Sequence, residues 1–300
     1  MNRQKELENI RQKSIESWAS AQKKALHEAV KNTPVAPPAQ AAAGTGVGAG
    51  GSFSNSNEVY YLRWSEGEPW NEDEPPTNVQ EMNAVFGIGG WSLAFFENLD
   101  FSSVFSSDTK YIFMDGSDAS SIVFYNFYYG AYGVISNWVY NGGKLFVNAA
   151  PNVGGNMNLG FGGLVLNFVD SETGGTFTEE ASITTGSESH PIFNGPGVTG
   201  TNWTGNSFAH AYISGNAEGL IKSDTLGTQP PAQVAVEVEW GSGKVIAGGM
   251  TITSFQDPRP QVVNLRQNIH SYLSGVGYTP QLQLTEPATL LNNQKSSRKF

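Results

Sequence analysis

Carboxylate side chains follow three of the predicted strands, and they are the residues best placed for chemistry. Several acidic residues crowd the segment SEGEPWNEDEPP after the first strand, Glu97 and Asp100 follow the second, and Asp115 and Asp118 follow the third. The carboxyl ends of parallel strands meet at one edge of an open α/β sheet, where ligands bind. A pair of carboxylates there could hydrolyse a glycosidic bond, and a larger set could hold Ca²⁺.

The acidic segment 66–74 lacks the D-x-D-x-D-G spacing of a calcium loop, so no metal site is predicted. Glu97 and Asp115 form the first pair to consider for hydrolysis, because they end neighbouring strands in the predicted order. Tryptophans near this edge could stack on a sugar, although core packing is the commoner place for such rings. A solvated acidic loop is the alternative interpretation. The predicted ligand rim contains Trp64, Glu66, Glu97, Asp115, Asp118, Asn148 and His190.

The chain contains no cysteine and only four histidines. The absence of cysteine excludes disulfides, thiolate nucleophiles and cysteine-ligated zinc. Histidine titrates near neutral pH, so His190 and His210 could serve as acid–base groups. No nucleophile lies near either of them in the sequence, which favours structural roles at a loop corner and at a strand edge. No cofactor is predicted.

The elements that must position these residues alternate between strand and helix in the first half of the body. The pattern predicts strands at 58–64, 91–99, 110–116 and 144–150, and helices at 78–87, 119–141 and 262–275. Short β segments follow residue 150, including a hairpin that turns at Gly241-Ser242-Gly243. This order predicts an α/β domain with a mainly parallel sheet and a β-rich C-terminal elaboration.

Three segments carry a resemblance to a known family. The strand end YIFMDGSD, followed by a helix that leads into VYNGGKLFV, resembles the class I glutamine-amidotransferase-like, flavodoxin-type fold. The segment HPIFNG (190–195) is similar to the HP-I-x-x-G segment of its trehalose-utilisation branch, and GSGKVI (241–246) to a late hairpin. The resemblance covers roughly residues 58–275.

In active amidotransferases of this kind the nucleophile stands on the turn after the strand equivalent to 144–150. The turn here is Asn148-Ala149-Ala150-Pro151-Asn152, which contains no Cys, Ser or Thr. Alanine cannot attack a carbonyl group or be activated by a base. The resemblance therefore implies a domain without amidotransferase activity, and no catalytic residue is predicted.

Residues 1–32 are predicted to form a long helix with an apolar stripe that partly repeats every eleven residues. Such a helix needs a partner, so it is interpreted as an assembly anchor, with docking on its own domain as the alternative. Residues 33–52 are rich in Pro, Ala and Gly, which predicts a linker to the domain at 53–280. Residues 281–300 are predicted to form a flexible tail. The anchor residues are Leu7, Ile10, Ile15, Trp18, Ala21 and Leu26.

The charge distribution limits the possible partners. Residues 53–290 hold seven basic and 23 acidic side chains, which argues against binding to nucleic acid. No apolar run approaches the roughly 20 residues that span a bilayer, and Met1 leads into a polar segment without the apolar core of a signal peptide. No membrane insertion is predicted.

The anchor, the linker and the missing nucleophile together predict a non-enzymatic virion protein. It would be a structural accessory of a tailed-bacteriophage capsid or tail, present as a homo-oligomer or in many copies. Its helix would bind other virion proteins, and its inactive domain would take part in host attachment, with a host-surface glycan as a possible ligand. A carbohydrate-binding module and a carboxylate-dependent glycoside hydrolase are the alternatives.

Overall fold

The computed structural model describes residues 58–71, 78–152, 155–169, 178–225 and 231–279. The predicted anchor residues, the linker and the whole of the predicted tail lie outside these ranges, and residues 72–76 of the acidic segment do as well. Within the described ranges no helix is both long enough and apolar enough to cross a bilayer.

The described residues form thirteen strands and four helices. The strands are β1 (Val59–Arg63), β2 (Ser92–Phe95), β3 (Tyr111–Asp115), β4 (Lys144–Asn148), β5 (Met157–Gly160), β6 (Leu164–Phe168), β7 (Thr178–Ile183), β8 (Asn202–Ala209), β9 (Ala211–Ser214), β10 (Glu218–Ser223), β11 (Gln233–Trp240), β12 (Gly243–Gly248) and β13 (Gln256–Asp257). The helices are α1 (Asn78–Phe86), α2 (Phe101–Val104), α3 (Ser121–Tyr140) and α4 (Arg259–Ser274). Short 3-10 turns occupy Pro69–Asn71, Phe96–Asn98 and Thr253–Phe255.

All thirteen strands belong to one mixed sheet. Its main path runs β13-β8-β7-β10-β11-β12-β4-β3-β1-β2, and β5, β6 and β9 form a branch that joins β11. The strands from β12 to β2 pair in parallel, whereas every other pairing is antiparallel. The parallel strands read as apolar and aromatic runs because both of their faces are covered.

The prediction of a flavodoxin-like, mainly parallel sheet is wrong, and the long helix predicted before it lies outside the described residues. Four strand pairings are parallel and eight are antiparallel. The hairpins after β4 do not form an appendage, because β11 and β12 continue the sheet directly beside β4. The predicted strands at 58–64, 110–116 and 144–150 and the helices at 78–87, 119–141 and 262–275 are confirmed as elements.

Alternation along the parallel strands divides the apolar residues between two cores. In β3, Tyr111 and Phe113 face the core under α1 and α4, whereas Ile112 and Met114 face the core under α2 and α3. The register places Asp115 opposite Asn148 of β4, and Asn148 opposite Gly248 of β12. Three neighbouring strands therefore end level with one another, and the loops that follow them share one edge.

Candidate functional site at the carboxyl ends of the strands

A short chain of hydrogen bonds connects the carboxyl groups of Glu68 and Asp115 near the carboxyl ends of β1 and β3. The Tyr61 hydroxyl lies 3.3 Å from Glu68 Oε2 and donates to it. Asn78 Nδ2 donates to the Tyr61 hydroxyl at 3.0 Å and to Asp115 Oδ2 at 2.6 Å. Because Asn78 opens α1 and Tyr61 lies in β1, the first strand, the first helix and the third strand all fix this arrangement.

Burial makes Glu68 an acid near neutral pH. Its side chain is 14% exposed, and its Oε1 lies 3.4 Å from Arg63 Nε. Burial raises the pKa of Glu68 to about 7, and the neighbouring Asp115 also raises it, although Arg63 and the Tyr61 hydroxyl act in the opposite direction. A carboxyl group that holds its proton near neutral pH is the kind that serves as a general acid.

Asp115 is buried more deeply than Glu68, and its two oxygens are engaged within the protein. The Ser117 amide donates to Oδ1 at 2.9 Å, and Asn78 donates to Oδ2. Burial raises the pKa of Asp115, against the hydrogen bond from Ser117 and the charge of Arg266. Asp115 therefore raises the pKa of Glu68, while its own oxygens accept hydrogen bonds from Asn78 and Ser117.

A third carboxyl group, that of Asp118, lies nearer the surface on the loop after β3. Asp118 Oδ2 accepts a hydrogen bond from the Trp70 amide at 2.9 Å, and Oδ1 accepts one from Asn152 Nδ2 at 2.5 Å. Its amide donates to the Ala150 carbonyl oxygen, which extends the β3–β4 ladder by one more step. Asp118 thus joins the loop after β1 to the loop after β4.

Backbone strain is concentrated at this contact. Trp70 has φ 60° and Asp118 has φ 56°, and they are two of only three non-glycine residues with positive φ in the described ranges. A left-handed conformation costs an L-residue about 1–2 kcal/mol. Strained residues of this kind cluster at functional sites, where the surrounding structure holds them in place.

The Trp70 ring packs edge-on against two other rings. Its centroid lies 5.6 Å from that of His210 and 5.3 Å from that of Phe255. His210 is buried, with Nδ1 3.3 Å from the Pro151 carbonyl oxygen. Burial lowers the pKa of His210 to about 4, so the imidazole is neutral at physiological pH. The three rings form a fixed wall beside Asp118.

A buried ion pair lies close to these acids. Glu81 of α1 accepts a hydrogen bond from Thr253 Oγ1 at 2.7 Å, and its Oε2 lies 3.9 Å from Arg266 Nε. Burial raises the pKa of Glu81 to about 7, although Arg266 and Thr253 act to lower it, and Glu68 and Asp115 add to the rise. Three acids therefore share one electrostatic environment at this end of the sheet.

The structure brings only part of the predicted ligand rim together. Asp115 and Asp118 take part as described, and Asn148 lies beneath them with its side chain bonded to the Met250 backbone. Glu97 instead accepts hydrogen bonds from Ser65, so the pairing of Glu97 with Asp115 is not observed among the described contacts. Trp64 is half-buried and Glu66 is exposed, both on the loop after β1.

His190 lies at the opposite end of the strands from the rim. Its Nε2 is 3.4 Å from Glu237 Oε2, and Glu237 Oε1 is 2.7 Å from Lys244 Nζ. Lys244 is opposite Lys144, the first residue of β4, which places this group at the amino ends of the parallel strands. We call His190, Glu237, Lys244 and Tyr272 the amino-end cluster.

Several site residues could not be identified from the sequence because nothing in their local pattern marks them. Asn78 and Glu81 lie on an ordinary short helix, and Tyr61 resembles a core residue of β1. Glu68 and Trp70 were visible only as part of an acidic, tryptophan-containing segment. We call Glu68, Trp70, Asp115 and Asp118 the carboxyl-end site, with Tyr61, Asn78 and Glu81 as its supporting residues.

The turn after β4 carries no nucleophile. Ala149 and Ala150 are fully buried, and their amides donate to the Gly248 carbonyl oxygen and to Ser117 Oγ. Among the described residues no three His, Asp or Glu side chains converge as a metal-binding group. The chemistry available at this edge is therefore that of carboxyl groups beside an aromatic wall.

Neither a family model nor a curated protein matches the sequence. Solved structures similar to the chain include a β-galactosidase from Bacillus circulans sp. alkalophilus, at 12% identity and TM-score 0.42, covering 75% of this chain and 32% of that one. A β-galactosidase from the haloarchaeon Halorubrum lacusprofundi matches at 11% identity and TM-score 0.39, over 74% of this chain and 31% of that one. A cytoplasmic protein from Salmonella typhimurium matches at 13% identity and TM-score 0.36, over 70% and 98%. The chain spans about a third of the β-galactosidases that it matches.

These findings correct two predictions. The mixed and mostly antiparallel sheet differs from the mainly parallel sheet of the flavodoxin-type fold, so the assignment to the amidotransferase-like family is wrong. The prediction of a non-enzymatic virion structural protein is withdrawn, since the named structures include no virion protein.

Proposed function

We propose that the chain hydrolyses glycosidic bonds at the carboxyl-end site, with Glu68 as the general acid and Asp118 as the opposing carboxylate. The observation that carries the proposal is that both carboxyl groups adjoin Trp70 in the loop after β1. Glu68 precedes Trp70 by two residues, and Asp118 binds the Trp70 amide at 2.9 Å. Glycoside hydrolysis uses two carboxyl groups of different acidity that flank the scissile bond.

Glu68 is suited to the role of acid because it is protonated when the pH is below about 7. As the bond between the anomeric carbon and the leaving oxygen breaks, the Glu68 proton would pass to that oxygen. Water supplies the hydroxyl group that replaces the leaving oxygen at the anomeric carbon, and the proton that this water releases restores the one given up by Glu68, so the products are a free alcohol and a sugar with a free anomeric hydroxyl group. Tyr61 and Arg63 hold the Glu68 carboxyl group in position.

Asp118 is better suited than Asp115 to the second role. Both carboxylates accept hydrogen bonds within the protein, but Asp118 is partly exposed whereas Asp115 is buried, so Asp118 is the more accessible of the two. The Trp70 amide and Asn152 orient Asp118 toward the loop after β1. From there its carboxylate could stabilise the positive charge that develops on the sugar ring, either by attacking it or by activating water.

Trp70 would provide the surface against which the sugar ring packs. The edge contacts with His210 and Phe255 fix its indole ring, and the residue remains half-exposed. Aromatic rings that are partly exposed and rigidly held commonly line ligand sites. The neutral state of His210 adds no positive charge to the site at physiological pH.

The proposal is tested by assaying the full chain against a panel of nitrophenyl glycosides and against every oligosaccharide that it binds on a glycan array. We expect Glu68→Gln to lower the rate about 10²- to 10⁴-fold, as the loss of a general acid does. Asp118→Asn should also abolish turnover. Glu66→Gln is the matched control, because it makes the same change on the same loop at an exposed position.

The pH dependence of the rate gives a second readout. Because Glu68 must be protonated, we expect the rate to fall as the pH rises through about 7. Binding of glycans without any turnover, or turnover that survives Glu68→Gln, would contradict the proposed hydrolysis at this site.

A further inference from the structure

The side-chain amide of Asn78 joins Asp115 to the Tyr61 hydroxyl from an enclosed position. Asn78 is 2% exposed, Asp115 is 1% exposed, and Tyr61 is fully buried. Asn78 Nδ2 lies 2.6 Å from Asp115 Oδ2 and 3.0 Å from the Tyr61 hydroxyl oxygen. These three polar groups therefore satisfy one another by hydrogen bonds within the protein, as buried polar groups must.

The chemistry of these groups fixes the direction of each hydrogen bond. An ionised carboxylate can only accept, so the nitrogen of the Asn78 amide, and not its oxygen, faces Asp115. That nitrogen carries two hydrogens, and it gives the second one to the Tyr61 oxygen. Because the Tyr61 oxygen accepts this bond, its own hydrogen is left for Glu68 Oε2, which lies 3.3 Å away. Among the described residues, Glu68 is the one acceptor within reach of that hydrogen.

We propose that Asn78 is a positioning residue, because it holds the Tyr61 hydroxyl as a permanent donor to Glu68. Under the proposed role of Glu68 as general acid, on which this inference rests, Glu68 becomes a carboxylate when its proton passes to the leaving oxygen. The Tyr61 hydrogen stays on Tyr61 and stabilises that negative charge. A hydrogen bond to a charged acceptor is stronger than one to a neutral acceptor, so this contact strengthens as the proton leaves. An interaction that strengthens toward the transition state accelerates the chemical step.

The Tyr61 hydroxyl makes the one hydrogen bond that the Glu68 carboxyl group accepts from the described residues. Arg63 faces Oε1 at 3.4 Å without forming a hydrogen bond to it, and Oε1 is buried. Asp115 of β3 and Glu81 of α1 are the other charged groups that act on Glu68. Burial raises the pKa of Glu68, Arg63 lowers it, Asp115 raises it and the Tyr61 hydrogen bond lowers it. Loss of the hydroxyl should therefore raise that pKa and leave the carboxylate without a donor.

Tyr61→Phe in the full chain tests the hydrogen bond, and a carbon-13 NMR titration of the Glu68 carboxyl group is the readout. The phenylalanine ring keeps the stacking on Phe113, whose centroid lies 4.8 Å away, so only the hydroxyl is lost. We expect the Glu68 midpoint to rise by at least about 0.5 pH unit, because the ionised form loses its donor. For glycoside hydrolysis we expect kcat below the midpoint to fall about tenfold, and the alkaline limb of the rate profile to move to higher pH.

Tyr111→Phe is the matched control. Tyr111 is also fully buried, lies on the neighbouring strand β3, and its hydroxyl is hydrogen-bonded to His270 Nδ1 at 2.7 Å. The control therefore removes a buried hydroxyl and its hydrogen bond without touching Glu68. We expect the Glu68 midpoint in Tyr111→Phe to equal that of the wild type, whatever the loss of stability.

Asn78→Asp tests the direction of the bonds. The new carboxyl group accepts where the amide donated, so the Tyr61 hydrogen turns toward position 78 and away from Glu68. The Glu68 midpoint should rise through the lost bond as well as through the added charge. In a Tyr61→Phe background only the charge can act, so the rise caused by Asn78→Asp should be smaller there. Asn83→Asp adds the same charge on α1, where Asn83 accepts a hydrogen bond from Trp91 Nε1, and its effect should be equal in both backgrounds.

The titration needs no turnover, so failure of this inference and failure of the proposed hydrolysis are distinguishable. A Glu68 midpoint that stays at the wild-type value in Tyr61→Phe, or that moves equally in Tyr111→Phe, would overturn the inference even in a chain that hydrolyses glycosides. An Asn78→Asp effect that is the same with and without the Tyr61 hydroxyl would remove Asn78 from the positioning role. Midpoints that move as expected in a chain without turnover would support the bond direction and contradict the proposed hydrolysis.

Discussion

The two ends of the parallel strands carry polar clusters that are both substantially buried but differ in electrostatic balance. In the amino-end cluster Glu237 lies between His190 and Lys244, and these bonds lower its pKa although burial acts to raise it. At the carboxyl-end site burial raises the pKa values of Glu68, Glu81 and Asp115. The same sheet therefore holds one compensated cluster and one in which the acids outnumber their cations.

This difference separates a structural role from a functional one. A polar network in which every charge and hydrogen-bonding group has a partner stabilises the fold. A group of acids that is held against its preferred ionisation, beside two strained residues, lowers stability and persists only where the surrounding structure maintains it. We therefore expect substitutions in the amino-end cluster to affect folding, and substitutions in the carboxyl-end site to affect chemistry and pH dependence.

The largest effect on stability is expected in the core between the two clusters. Phe146 is fully buried in β4, stacks on Phe113 with centroids 5.0 Å apart, and lies below Arg266. Phe146→Ala should lower the free energy of unfolding by about 3–5 kcal/mol in urea denaturation. A loss below about 1 kcal/mol would mean that β4 is not central to the sheet.

A smaller loss is expected when the amino-end cluster is broken. Glu237→Gln removes the charge that pairs with Lys244 at 2.7 Å and leaves the lysine half-buried. We expect the free energy of unfolding at pH 7 to fall by about 3 kcal/mol. Glu239→Gln, two residues further on the same strand and exposed, should change it by less than about 0.5 kcal/mol. Equal effects of the two substitutions would remove the distinction between the clusters.

The carboxyl-end site should give the protein an unusual pH dependence of stability. The pKa of Glu81 is about 7 in the folded state, above the value of 4.5 for a free glutamate. The folded state therefore holds the proton more tightly, so this contribution to stability is complete below pH about 4.5 and is lost as the pH rises through about 7. Thermal unfolding between pH 4.5 and pH 8 would measure the loss.

Glu81→Gln should flatten that profile by about 3 kcal/mol, because the amide cannot ionise. The exposed Glu66→Gln should leave the profile of the wild type unchanged. A variant at position 81 whose stability falls with pH as steeply as that of the wild type would show that Glu81 is ionised at little cost.

The smallest effect on stability is expected at Asp118, where we predict the largest effect on activity. Asparagine accepts positive φ more readily than most residues, and its oxygen can still accept the bond from the Trp70 amide. Asp118→Asn should therefore change the free energy of unfolding by less than about 1 kcal/mol while glycoside hydrolysis is lost. A loss of activity that merely follows a loss of folded protein would place Asp118 among the structural residues.

The sequence was sufficient to predict the elements that have strong local patterns. The runs YIFMD and KLFVN identify β3 and β4 because parallel strands covered on both faces are nearly continuous in apolar residues. Helix α4 could be predicted because its apolar residues recur at helical spacing and Gly275 ends it with φ 75°. The carboxylates Asp115 and Asp118 followed from the position of β3.

The pairing of distant segments could not be predicted from local patterns. The hairpin at Gly241-Ser242-Gly243 predicts that β12 pairs antiparallel with β11, but nothing in GKVIAG indicates that β12 also lies parallel to β4, which is what makes the sheet mixed. His190 was expected at the rim, but the chain between β7 and β8 returns to the amino ends of the strands. Asn78 and Glu81 become site residues only when α1 packs beside β1 and α4.

The central claim is that Glu68 keeps its proton near neutral pH because it is buried beside Asp115. The most direct measurement is a carbon-13 NMR titration of the glutamate side-chain carboxyl groups, with the Glu68 signal assigned from its loss in Glu68→Gln. We predict a midpoint at about 7 for Glu68. Replacement of Asp115 by Asn should lower that midpoint, because the neighbouring acid contributes to the rise. A Glu68 midpoint near the ordinary glutamate value of about 4.3 would contradict the account.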